Sequence, residues 1–405
     1  HMFGSSPKTI LEDTTQDQNF SDVTYDIKKI EAYLNGVLQL EAVACKDWLT
    51  NKVDRCVTGR VAKQQTAGPL QLPLNNVGVM ALDYRGEKGI ATSIGHAPIS
   101  ALADPVAGSQ LSIAEALTNI IWAPMAKGLG GVSLSANWMW PAKNEGENAR
   151  LYKAVEAVSD FACALGINIP TGKDSMSMTQ KYKDGMVYAP GTVIISAGGE
   201  VTDLKKIVEP VLQPNFDSTL LYIDLSDGAF NLGGSSFAQV VGKVGTSAPT
   251  VSDSGRFART FNMVQALIEE GKILAGHDVS AGGLITALLE MSFSQVDLGI
   301  AADLKDLKNV DDISLFFSEQ PALVIQVANE DLEDIAMLFD DIEASYVEIG
   351  SPIGEPILAI QTNTQSYLLD IASLRDTWYK TSYLLDAKQS GEDLAKQRFD
   401  NYKNQ

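Results

Sequence analysis

The segment KILAGHDVSAGGLITALLEMSFS, residues 272–294, limits what this chain can fold into more than any other stretch. A short apolar run ends on His277 and Asp278, a Gly pair follows, and a second apolar stretch begins. The first run has the length of a buried strand and the second that of a helix. The first N–H groups of such a helix have no partner inside it and face whatever the preceding loop presents. Asp278 stands at that junction, and Ser280 is placed either to cap the helix or to hold a phosphate with its N-terminus. The same alternation recurs around it. STLLYIDLS (218–226) and ALVIQVA (322–328) read as buried strands, 257–271 and 330–340 as helices, and YVEIGSPIGEPILAIQ (346–361) as strands. Alternation with antiparallel-looking pairs predicts α/β and α+β layers.

The first half reads similarly. Helical periodicity covers 26–50, a strand spans 88–95, 97–103 is a connector, and 109–127 is a helix beginning near Leu111 or Ser112 after an Asp104-Pro105 turn. VSLSANWMW (132–140) is a strand whose Trp138 and Trp140 belong to core or interface. Residues 147–166 form an amphipathic helix closed by Gly166, and 186–200 a strand pair broken by Pro-Gly. A second unit begins near 211, and 370–405 is a polar, helix-prone tail. Residues 3–25 read as a linker, and His1-Met2 as the remnant of a cleaved tag.

A chain of 405 residues with 45% apolar content affords two or three domains. The net charge of -20 argues against binding nucleic-acid backbones or anionic membranes. A phosphate would have to be held locally, by backbone N–H groups, a few cations and a bridging metal. Three cysteines, Cys45, Cys56 and Cys163, with no CxxC argue against a disulfide framework or zinc site and fit a reducing compartment. Cys163 reads as a core thiol. No apolar run reaches the roughly 18 residues of a membrane span and no secretory signal is visible, so a cytoplasmic location is expected. Walker A, GxGxxG and GxSxG motifs are all missing from the sequence.

Three words carry chemistry. In AEALTNI, Glu115 and Asn119 share a helix face by their i,i+4 spacing. With Asp278 they form an oxygen set suited to a hard cation such as Mg2+ that also holds phosphate oxygens, although a solvated face would use the same pair. In GKDSMSM (172–178), Gly172, Lys173, Asp174 and Ser175 make either a phosphate-facing turn or a solvated one.

Together with TGRVAKQQTAGPLQLPL, TSIGHAP, LSANWMWPA, APGTVIISA, HDVSAGGL, LLEMSFS and LRDTWYKTSYLLD, these words resemble the second half of the synthetase region of phosphoribosylformylglycinamidine synthase, large single-chain form. The resemblance runs from about residue 20 into the tail. It implies an aminoimidazole-ribonucleotide-synthetase-like fold. Residues 1–25 would be linker and tag remnant, 26–210 an N-terminal α/β domain forming half of a shared barrel, and 211–372 a C-terminal α+β sandwich domain. Residues 373–405 would lead toward a glutaminase domain.

The reaction implied is that of a ligase using glutamine as amide donor. ATP converts formylglycinamide ribonucleotide through an iminophosphate to formylglycinamidine ribonucleotide, with Mg2+ neutralising phosphate charge. The chain would be a fragment, inactive alone, whose partners are the first synthetase half and the glutaminase, or a second copy of itself paired through residues 60–100. By the same resemblance Glu115, Asn119, Asp278 and Asn76 hold Mg2+, Asn75 and Ser280 contact an auxiliary ATP or ADP, and Lys173, Asp174 and Ser175 lie near a shared cleft. Asn76 stands where relatives usually carry an acidic ligand. That removes one negative charge and suggests either weaker metal binding or a scaffold half with a decayed site.

Overall fold

The computed structural model describes residues 20–50, 57–226 and 228–404, so most of the expected linker, and Cys56, fall outside the described residues. The chain opens with α1 (Ile30–Leu38) and the one-turn α2 (Asp47–Thr50). Strands β1 (Val61–Lys63), β2 (Thr66–Ala67), β3 (Leu72–Pro73), β4 (Gly78–Ala81) and β5 (Gly89–Gly95) follow. Next come α3 (Pro98–Ala103), α4 (Pro105–Ile120), β6 (Ser133–Met139), α5 (Glu147–Leu165) and β7 (Asn168–Ser175). A ribbon of β8 (Thr179–Tyr182) and β9 (Gly185–Tyr188) precedes β10 (Thr192–Val201). Six of these strands form one sheet in the order β1-β4-β5-β10-β6-β7, with only β6 and β7 parallel.

Alternation in β5 decides how this sheet is covered. Ala91, Ser93 and Gly95 point inward, while Ile90, Thr92 and Ile94 point outward. Helix α4 lies on the inner face. It approaches so closely that a Cβ on Gly95 would come within 2.3 Å of Ser112 O and Ala116 N.

Several expectations about this unit need correction. Asp104-Pro105 is a helix start: the Asp104 carboxylate accepts from Val106 N at 2.8 Å and Ala107 N at 3.2 Å, and Pro105 supplies the first helical residue. A cap followed by proline looks like a turn in sequence because both need the same extended residue before proline. Residues 97–103, expected as a connector, contain α3. The stretch GKDS is strand, because Lys173 and Asp174 pair in parallel register with Asn137 and Trp138. The strand pair expected over 186–200 divides, β9 pairing with β8 and β10 with β5 and β6. Cys163 is exposed, since the buried stripe of α5 runs through Ala154, Val158, Phe161 and Leu165.

The second unit contains β11 (Ser218–Asp224), α6 (Ser236–Val240), α7 (Ser254–Glu270), β12 (Ile273–Val279), α8 (Gly283–Phe293), β13 (Gly299–Asp303) and α9 (Asp312–Phe317). It continues with β14 (Ala322–Ala328), α10 (Leu332–Asp341), β15 (Ser345–Ile353), β16 (Ile357–Gln361) and β17 (Ser366–Asp370). Its sheet has the order β12-β14-β11-β15-β13-β16-β17, antiparallel except between β13 and β16. Helices α11 (Ile371–Ser390) and α12 (Glu392–Asn401) close the chain. Helix α11 is anchored where Arg375 Nη1 donates to Phe293 O and Gln295 O at 2.9 Å each, and where Trp378 Nε1 donates to Val43 O at 2.9 Å.

Strands β11 and β14 bury both faces. Leu220, Tyr222 and Val324 enter a core shared with α1, α8 and α11. Leu221, Ile223, Leu323 and Ile325 enter another, shared with Leu117 of α4, Phe161 of α5 and Phe257 of α7. The second core therefore spans both units and forms a continuous apolar seam.

Candidate nucleotide and cation site

The polar groups of interest gather along that seam. Strand β12 carries Asp278 near its end, where it is 1% exposed. Three donors converge on its Oδ1: Asn76 Nδ2 at 2.9 Å, Trp122 Nε1 at 3.3 Å and His277 Nδ1 at 3.5 Å. Asn76 lies between β3 and β4 and Trp122 just past α4, so both donate from the first unit. A carboxylate only accepts, which fixes the Asn76 amide with its nitrogen toward Asp278. The other oxygen, Oδ2, is buried without a hydrogen-bond partner.

The last turns of α4 bring up the other oxygens. Asn119 Nδ2 donates to Ile94 O at 2.8 Å, while its Oδ1 is buried and unpartnered. One turn earlier, Glu115 Oε2 accepts from His96 N at 2.7 Å. Buried polar atoms are seldom left unpaired, so Asp278 Oδ2 and Asn119 Oδ1 are the places where an absent ligand would act. Asn75 ties the loop beneath, donating from Nδ2 to Gln64 O at 2.8 Å and Thr66 O at 3.2 Å. Its Oδ1 is likewise buried and unpartnered.

Electrostatics fit a site that lacks positive charge at Glu115. Burial, with neighbouring Asp278 and Glu319 adding to it, pushes the Glu115 carboxyl up to about 8 against the pull of the His96 N–H. Burial also works to raise Asp278, yet the hydrogen bond and charge of His277, with help from Asn76 and Trp122, hold it below the usual carboxylate range. For His277 burial opposes the charged form, and hydrogen bonds to Asp278 and Glu290 outweigh it, pushing the imidazole up to about 10. Among the described residues no three His, Cys, Asp or Glu side chains converge as a metal cluster. A cation here would rest on two carboxylates supplemented by amide oxygens, which suits Mg2+ better than a soft metal.

A cleft of about 840 Å3 opens beside these groups and is lined from both units, by Glu115 and His96 on one side and by Ser280 and Glu319 on the other. Ser280 lines the cleft but does not cap α8. Its carbonyl accepts from Gly283 N at 3.0 Å, and the cap position belongs to Gly282, whose φ of +92° suits glycine. The N–H of this cap residue is taken by a carboxylate: Glu319 Oε1 accepts from Gly282 N at 2.7 Å and from Ser236 N at 2.8 Å. Burial raises the Glu319 pKa, with those N–H groups pulling against it.

The structure thus joins Asn76 to Asp278 by a hydrogen bond and sets Glu115 and Ser280 on one cleft, with Asn119 one turn along α4 from Glu115 and Asn75 next to Asn76 in the chain. Lys173, Asp174 and Ser175 are elsewhere, on edge strand β7, where Lys173 Nζ donates to Ser175 Oγ at 2.7 Å. Sequence reasoning missed Trp122, Glu319, Lys46 in the cleft, and the contact of His277 with Glu290. Glu290 did carry a signal, as the one acid in the apolar helix GLITALLEMSF, since a charge in such surroundings needs a partner.

Comparison with known proteins gives this arrangement a context. The family model for the FGAR-AT PurM_N-like domain matches residues 45–200, and the AIR synthase related protein, C-terminal domain, matches 224–362. A probable phosphoribosylformylglycinamidine synthase, chloroplastic/mitochondrial, from Arabidopsis thaliana is 40% identical over 373 residues, covering 91% of this chain and 26% of that protein. Phosphoribosylformylglycinamidine synthase from Homo sapiens is 39% identical over 363 residues, covering 88% of this chain and 27% of its own length. The chain thus spans about a quarter of the length of these curated relatives. The solved structure of T. maritima PurL complexed with FGAR superposes with a TM-score of 0.64 at 14% identity, over 85% of this chain and 53% of that one. T. maritima PurL complexed with ATP gives 0.61 at 15% identity, over 85% and 52%. These two likenesses show the shared fold, which is the expected aminoimidazole-ribonucleotide-synthetase-like α/β and α+β arrangement.

Proposed function

The chain belongs, over the region it spans, to the phosphoribosylformylglycinamidine synthase family, and we propose that it is the second synthetase half of such a protein. The parent activity is then the ATP- and glutamine-dependent conversion of formylglycinamide ribonucleotide to formylglycinamidine ribonucleotide in purine biosynthesis. The rest of the parent chain would bring the first synthetase half and the glutaminase. Within this half, the seam site holds an adenine nucleotide with Mg2+. Glu115, Asn119 and Asp278 would hold the cation with the Asn76 amide oxygen, and Asn75 and Ser280 would lie along the nucleotide. The bound cation would neutralise phosphate charge. The protein's own task is to fix these oxygens in place.

The observation that carries this reading is the pair of buried, unpartnered oxygens, Asp278 Oδ2 and Asn119 Oδ1, whose chain neighbours Val279 and Thr118 line a cleft of nucleotide size. Glu319 takes the N–H of the α8 cap residue Gly282, so an uncompensated phosphate there would face a carboxylate. A second reading has its own support. The Asn76 amide satisfies Asp278 Oδ1 without any metal, as a scaffold half with a disused site would require. Calorimetric titration with ADP, with and without Mg2+, separates the two. Mg-dependent binding that Asp278→Ala abolishes supports the nucleotide site, and no binding at millimolar ADP favours the scaffold. A cytoplasmic location belongs to the same proposal. Among the described residues no helix is long and apolar enough to cross a membrane.

A further inference from the structure

Asp278 has one oxygen, Oδ2, buried without a partner beside the cleft-lining Val279, and the cause lies behind it. His277 is 3% exposed, with Nε2 2.7 Å from Glu290 Oε2 and Nδ1 3.5 Å from Asp278 Oδ1. Glu290 comes from α8, where Leu288, Leu289 and Met291 beside it are fully buried, so its carboxylate is held against the ring by a packed helix. An imidazole between two carboxylates can donate to both of them only through both of its nitrogens, which sets the ring plane. Trp122 and Asn76 add their donors to the same Oδ1, from the opposite side of the seam. All donors on Asp278 therefore fall on one oxygen, and Oδ2 is left buried and unpaired.

We propose that Glu290 and His277 are the positioning pair of this site. Glu290 anchors the ring, the ring and Trp122 hold Oδ1, and the carboxylate is locked with Oδ2 presented to a divalent cation that bridges to a nucleoside diphosphate. Groups of this kind behind a ligand commonly change metal affinity by about 10- to 100-fold while touching neither metal nor substrate. The inference rests on the nucleotide reading above.

The test is to titrate Mn2+, followed by its electron paramagnetic resonance signal, into the chain at saturating ADP. ADP binding is measured separately in EDTA, and thermal unfolding is followed in parallel. Glu290→Gln keeps shape and an acceptor, so it should fold, and it is expected to weaken Mn2+ binding by roughly tenfold. His277→Asn should weaken it further, toward about 100-fold. The weak ADP binding that remains in EDTA should stay the same in both. A purely structural role would leave the variants unfolded at the titration temperature or move both affinities together, and that outcome overturns the proposal. So does unchanged Mn2+ affinity in both variants. If the unsubstituted chain itself takes up no Mn2+ with ADP, the nucleotide reading fails first and this one with it.

Discussion

Strands β5 and β11 carry similar apolar residues in opposite settings. In β11, Leu220, Leu221, Tyr222 and Ile223 are all buried, because helices of this same chain cover both faces of that strand. In β5, every second residue faces outward, and Ile90 and Ile94 are 47% and 56% exposed, with Met80 of β4 beside them at 38%. Strand β11 is covered on both faces by its own chain and β5 on one face only. Contiguous apolar surface of that kind marks an interaction face. The two strands thus differ in what covers them: both faces of β11 are packed, one of them partly by α4 and α5 of the first unit, while β5 leaves an apolar row open on one face.

The largest expected effect comes from breaking the strand covered on both faces. Ile223→Ala removes a side chain that fills the core shared by both units, and it should cost about 2–5 kcal/mol in chemical denaturation. The matching change on the open face should behave differently. Ile90→Ser with Ile94→Ser is expected to leave stability within about 0.5 kcal/mol for each change. If a second copy covers that face, the same pair of changes should weaken self-association by roughly tenfold or more in sedimentation. A monodisperse monomer of the unsubstituted chain at tens of micromolar would remove the self-association and leave the face to a different domain.

A smaller effect concerns the seam between the sheets. Folding raises the Glu115 carboxyl from 4.5 to about 8 and the His277 imidazole from 6.5 to about 10. A group raised on folding contributes stability below its unfolded pKa and loses it as pH rises toward the folded one. Between pH 6.5 and 8 both losses run together, so the ligand-free melting temperature should fall by a few degrees across that window. Glu115→Gln should flatten the part below pH 8 and leave the decline toward pH 10. The smallest effect is at Cys163, on the exposed side of α5. Cys163→Ser should stay within about 0.5 kcal/mol, and Cys163 should react with a thiol reagent in the native state while buried Cys45 does not.

Sequence patterns carried the fold where periodicity was strong. The amphipathic run closing at Gly166, and the strand, turn and helix around Asp278, stand where their periods place them. They failed where one residue pattern serves two geometries. Asp104-Pro105 suits a turn or a helix start, and only the contacts of Asp104 with the next N–H groups decide. Ser280 looks like a cap, but the glycines after it take the left-handed conformations that set the helix start further on. For the site, i,i+4 spacing can place Glu115 and Asn119 on one face, but it cannot say what that face meets. The meeting of Asn76 with Asp278 depends on how two sheets share a core, and family resemblance, not local pattern, pointed to it. Glu319 and Trp122 were hidden for the same reason, since their roles exist only after packing.

The most direct measurement is anomalous diffraction from crystals of the chain grown with ADP and Mn2+. A manganese peak is expected at the seam, within coordination distance of Asp278 Oδ2 and Asn119 Oδ1, with the diphosphate in the cleft between Glu115 and Ser280. A nucleotide bound elsewhere, or a seam with no manganese at saturating ADP, would contradict it.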